Sequence, residues 1–116
     1  MASGETKMKW PDSVRMKHWE GIFRSILSGE KVPENEYRVA VFPHDREGRY
    51  WILLVWDGFD VMSSTSRQVW VWDRFKRIVP NIADRQEINM IRPYSAKEYI
   101  TMEALSEHAT PMPFDG

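Results

Sequence analysis

The chain has no cysteine. That one absence removes disulfides, thiolate metal sites, thiol nucleophiles and self-held iron–sulfur clusters together, so any cluster would need ligands from a partner. Long hydrophobic runs are missing too. The longest uncharged apolar stretch, Tyr50 to Trp56, is far below the roughly 20 residues that cross a bilayer, and the start MASGETKMKW has no apolar signal region. The expectation is a cytoplasmic protein with no membrane contact. No sign of charge dominates: 16 basic side chains face 17 acidic ones, so only a local basic patch could attract nucleic acid.

Motifs of chemistry are also scarce. There is no G-x-S-x-G, no phosphate-cradling glycine loop and no pair of carboxylates placed for acid–base work. The histidines, His18, His44 and His108, fall on a predicted helix, in a hairpin loop and in a tail, and share no metal-ligand spacing. His44-Asp45 beside Glu47 comes nearest to a ligand group, but at a hairpin tip such residues form a solvated turn. Neither a catalytic residue nor a resident metal or cofactor is expected, and the chain reads as a non-enzyme.

What remains is enough for one domain. A chain of 116 residues with 42% hydrophobic and 28% charged side chains suits a single small core. The ends, 1–10 and 107–116, are polar or proline-bearing and are expected to be flexible, leaving a domain of 11–106. Tryptophan is the oddity. Six in a chain of this size, each large and needing a partner for its indole N–H, places some at the surface.

Pro11-Asp12-Ser13 opens a predicted helix over 12–28, with a stripe of Val14, Trp19, Ile22, Phe23, Ile26 and Leu27 and a left-handed cap at Gly29. YRVAVF (37–42) and the run ending at Trp56 read as antiparallel strands around a loop at 43–48. The second is apolar on both faces, so it is central, with helices on one side and something else, such as a partner, on the other. A helix over 63–78 stops before Pro80. Residues 86–92 alternate as a third strand. Ser95-Ala-Lys-Glu98 is a capping box that starts a last helix over 95–106. The order helix, strand, strand, helix, strand, helix gives an α+β two-layer sandwich on a three-stranded mixed sheet.

Within that order, DGFDVMS (57–63) and SAKEY (95–99) carry a resemblance. A strand, then D-x-F-(D/E)-x-M-S, helix, loop, strand, and S/T-x-x-E-Y/W at a helix start resembles the BolA-like family, whose fold is related to the second type of KH domain. The resemblance implies that Asp57-Gly58 turns the chain out of the sheet, Phe59 plugs the space under the helix and Met62-Ser63 starts the helix. It also implies a glutaredoxin-like partner and a shared [2Fe-2S] cluster. The family's histidines are absent, however, and Gln68 stands where the helix histidine aligns. A neutral amide is a far weaker ligand for a transition metal. The G-x-x-G loop with which KH domains clamp nucleic acid is absent as well.

On the helix over 63–78, Val71, Trp72, Phe75 and Ile78 are the predicted buried stripe. Arg67, Trp70, Arg74 and Arg77 are the predicted exposed ridge and partner-binding site, because arginine stacks on tryptophan and both are enriched in interface hot spots. The sequence thus points to a non-enzymatic adaptor or regulator, monomeric or weakly dimeric, that binds a protein through this ridge. Two alternatives are a nucleic-acid-binding regulator using the same ridge and a small phage- or toxin-associated inhibitor or immunity protein.

Overall fold

The computed structural model describes residues 12–44 and 48–108. Its helices are α1 (Asp12–Gly29), α2 (Ser64–Ile78), α3 (Ile82–Arg85) and α4 (Ala96–His108), and its strands are β1 (Tyr37–Pro43), β2 (Tyr50–Trp56) and β3 (Ile88–Tyr94). The strands form one sheet in the order β1-β2-β3, with β1 antiparallel and β3 parallel to β2. This is the expected mixed α+β sandwich with β2 in the middle. The expected flexible segments 1–10 and 109–116 lie outside the described residues, whereas 107 and 108 continue α4. No helix among the described residues is long and apolar enough to cross a membrane.

One face of the sheet carries the core. Trp19, Phe23, Ile26 and Leu27 of α1 and Val71 and Phe75 of α2 pack on Val39, Ile52, Leu54, Ile88 and Ile91. Aromatic contacts join the two helices: Phe75 meets Phe23 at 4.8 Å and Trp19 at 5.8 Å between ring centroids. The buried indole of Trp19 needs an acceptor, and its Nε1 donates to Glu87 Oε1 at 2.9 Å, where Arg15 also donates at 2.8 Å. Tyr50 OH donates to Asp12 Oδ1 at 2.7 Å. Burial first, and then that hydrogen bond to Asp12, pushes the phenol up to about 12.

Several boundaries differ from expectation for local reasons. Gly29 remains helical, and the left-handed position falls on Lys31, at φ 65°. Val32 N–H reaches Leu27 O at 3.1 Å and Lys31 N–H reaches Ser28 O at 2.9 Å, the paired bonds of a Schellman end. Val14 is 45% exposed and lies off the core stripe. The third strand begins two residues later than its alternation suggested, because Asn81 caps α3 by accepting from Ala83 and Asp84 N–H, and Gln86 still donates to Ile82 O. Its far end takes in Pro93, which an edge strand tolerates because the missing N–H removes no ladder bond.

The turn after β2 fits the DGFD reading. Asp57–Val61 is a short 3₁₀ turn with Phe59 fully buried in it. A Cβ at Gly58 would overlap the indole of Trp56, so only glycine lets that ring lie against the turn. Ser63 then caps α2, accepting from Ser66 N–H.

Candidate interaction surface

The α2 helix, STSRQVWVWDRFKRI, positions the candidate site. Val71 and Phe75 are fully buried, as predicted, but Trp72 is half-buried and Ile78 is 41% exposed. The buried face is therefore rotated toward Arg67. At about 100° per residue, Arg67 lies only about 40° from Val71, on the border of the core rather than opposite it.

Arg67 is accordingly not part of an exposed ridge. It is 8% exposed, and every part of its guanidinium is engaged. Nε donates to Met62 O at 3.1 Å, Nη1 to Pro93 O at 3.2 Å and to Glu98 Oε1 at 2.6 Å, and Nη2 to Glu98 Oε2 at 2.9 Å. One side chain thus ties the end of the turn, the edge strand and the start of α4 together. Glu98 also completes the predicted capping box: it accepts from Ser95 N–H at 2.9 Å, and its own N–H reaches Ser95 Oγ at 3.2 Å. The hydrogen bonds from Arg67, then the one from Ser95 N–H, hold the Glu98 carboxyl down at about 2.

Gln68 is committed as well. Its Nε2 donates to Ile91 O at 2.8 Å, and its Oε1 accepts from Trp72 Nε1 at 3.0 Å. Both ends of the amide have structural partners, which accounts for a glutamine at this place.

The remaining ridge residues divide. Trp70 is half-buried in an aromatic cluster, 5.2 Å from Trp56 and 5.8 Å from Phe59. Arg74 covers its outer side with Cζ 4.1 Å from the ring centroid, and is itself paired with Glu30 at 3.0 Å. Arg77 stands apart, paired with Asp73 at 2.7 Å and 69% exposed. The four residues do not form one continuous ridge.

The surface beside Trp70 mixes apolar Met62 and Val69 with Thr65, Ser66, Asp73 and Arg74. Val61 is 90% exposed and Val69 63% exposed. A shallow groove of about 380 Å³ runs between Met62, Val69, Trp70 and Arg74. The sequence reading missed the two valines because alternation and helical period identify buried positions, and nothing in that pattern marks a valine left outside.

The histidines are scattered: His18 is exposed on α1 with its ring 4.8 Å from that of Trp19, and His44 follows β1. Its sequence neighbours Asp45 and Glu47 lie outside the described residues. Among the described residues, no three His, Asp or Glu side chains are grouped to hold a metal ion. Comparison of the chain with protein-family models, with curated proteins and with solved structures finds no match.

Proposed function

We propose that this chain is a non-enzymatic binding protein of BolA-like type, acting on a protein partner through the outer flank of α2. The observation that carries the reading is Trp70, half-buried under the Arg74 guanidinium at 4.1 Å, with exposed Val69 and half-buried Met62 lining the same groove. A preordered indole next to exposed Val69, within a polar and charged rim, is the composition of an interface hot spot, where a desolvated aromatic carries more than the charges at the rim. The element order and the mixed sheet agree with what the resemblance implies. The shared cluster is not part of this proposal, since Gln68 already serves Ile91 and Trp72.

The same geometry argues against phosphate recognition by α2. Arg67, Arg74 and Arg77 each have a carboxylate partner already, in Glu98, Glu30 and Asp73, so each would have to give up an ion pair to meet a phosphate. Affinity capture from the source cell tests the proposal, with captured proteins compared between wild type, Trp70→Ala, Val69→Ser and Arg77→Glu. Trp70→Ala should weaken the complex by about 2 kcal/mol or more, Val69→Ser by less, and Arg77→Glu least. Capture that is indifferent to both Trp70→Ala and Val69→Ser would remove this surface from the function. Val69 is exposed, so its variant decides the question even if Trp70→Ala disturbs the fold.

A further inference from the structure

The face of the sheet turned away from the core can be read in rows, because the strands are in register. Phe42, Trp51 and Met90 form the first row; Ala40, Leu53 and Arg92 the second; Arg38, Val55 and Tyr94 the third. At the third row α4 comes close, with Arg38 Cζ 5.8 Å from the Tyr99 ring centroid. The first row stays at the surface: Phe42 is 38% and Met90 36% exposed.

This row holds a preformed stack. The Phe42 and Trp51 rings lie 4.5 Å apart and 21° from parallel. Arg92 extends it with Cζ 5.4 Å from the Trp51 centroid. The outward strand positions carry Arg38 and Arg92 and no carboxylate; the carboxylates Glu36, Asp57 and Glu103 gather around Arg38 and Tyr99 at the third row, away from the Phe42–Trp51 stack. Neither of these arginines has an ion pair among the described residues, in contrast to the arginines of α2. A guanidinium group without a carboxylate partner among the described residues, as at Arg92 beside the stacked rings, suits a ligand that brings both flat rings and negative charge.

We propose that this face binds single-stranded nucleic acid, a base stacking on the Phe42–Trp51 pair and the backbone phosphate meeting the Arg92 guanidinium. Single strands expose the faces of their bases, and every base can stack on an aromatic ring. A duplex keeps its bases stacked internally and offers this row no ring face. The chain as a whole is nearly neutral, at net charge −1, so binding is local rather than steered from a distance, and its salt dependence is that of one or two phosphates. The surface is separate from the α2 flank, so this inference stands or falls independently of the proposed protein partner.

Fluorescence anisotropy with labelled single-stranded DNA and RNA oligonucleotides, and with a duplex of the same sequence, at low and moderate salt provides the test. The single strand should bind more tightly than the duplex. Phe42→Ala should weaken it by about 5- to 160-fold, the loss of one base stacked on an aromatic ring, and Arg92→Gln should reduce the salt slope by about 0.7, the share of one phosphate on a single strand. Val69→Ser, on α2, should leave the titration unchanged. No binding at low salt, a duplex bound as tightly as the single strand, or indifference to both Phe42→Ala and Arg92→Gln would overturn the proposal. Arg92 is exposed, so its variant carries the test if Phe42→Ala alters the circular dichroism spectrum.

Discussion

Replacing Arg67 by methionine keeps most of the aliphatic stem and removes the guanidinium, which isolates the clamp between α2, β3 and α4. The cost has two parts. Met62 O and Pro93 O lose a charged donor, and Glu98 loses its bidentate partner. A carboxyl held at about 2 instead of 4.5 corresponds to about 3 kcal/mol at about 1.4 kcal/mol per pH unit. Ser95 supplies part of that shift and keeps it in the variant, and the Glu98 side chain is 41% exposed, so the share lost with Arg67, after solvent screening, is about 1–2 kcal/mol. With the two carbonyls added, Arg67→Met should destabilise the protein by about 2–4 kcal/mol at neutral pH. The sign with pH follows from the depressed carboxyl. The Glu98 contribution is fully present above its ordinary value of 4.5 and fades as pH falls toward 2. The gap between wild type and variant should therefore narrow between neutral pH and pH of about 3, losing more than half of its electrostatic part. Denaturant unfolding followed by tryptophan fluorescence, at both pH values, measures this. A loss below about 1 kcal/mol at neutral pH, less than the removal of a charged donor from a buried acceptor costs, or a gap independent of pH, would refute the clamp.

Phe59→Ala should cost about 3–5 kcal/mol, because a fully buried ring between Trp56 and Trp70 is lost and a cavity remains; a shift in unfolding free energy under about 1 kcal/mol would sink its role as the plug under α2. Lys31→Gly should stabilise the chain by about 0.5–1 kcal/mol, since a left-handed backbone at φ 65° strains any residue with a Cβ, and the entropy of glycine in the unfolded chain offsets only part of that relief. Thermal unfolding compares the two proteins directly, and a lower midpoint for the variant would contradict the strain argument.

Much of this fold was legible from local pattern alone. Ser95 and Glu98 cap α4 because they are three residues apart and need nothing else. The double-faced apolar run of Tyr50–Trp56 requires a central strand, which depends on period alone, whereas the turn at Asp57-Gly58 with Phe59 buried in it was what the family resemblance implied. The left-handed position missed its glycine for a similarly local reason: the helix ran on through Gly29, and the Schellman bonds placed the left-handed residue two positions later, on Lys31.

The interaction surfaces were not legible in this way. Helical period put Arg67 with Trp70, Arg74 and Arg77, but its neighbours in space are Pro93 and Glu98, 26 and 31 residues away, and only the packing of β3 and α4 beside α2 brings them within hydrogen-bond reach. Likewise Phe42, Trp51 and Arg92 belong to three strands, and their stack exists only because antiparallel and parallel pairing set them side by side. Sequence alone determined the long helices, the strands and most of the core stripes, since those follow from spacing along the chain, but not the short α3 or the places of Val14, Arg67 and Ile78. Which arginines are spent on carboxylates, and which remain beside an open aromatic face, was decided by tertiary structure, because charge pairing depends on distances that spacing along the chain does not specify.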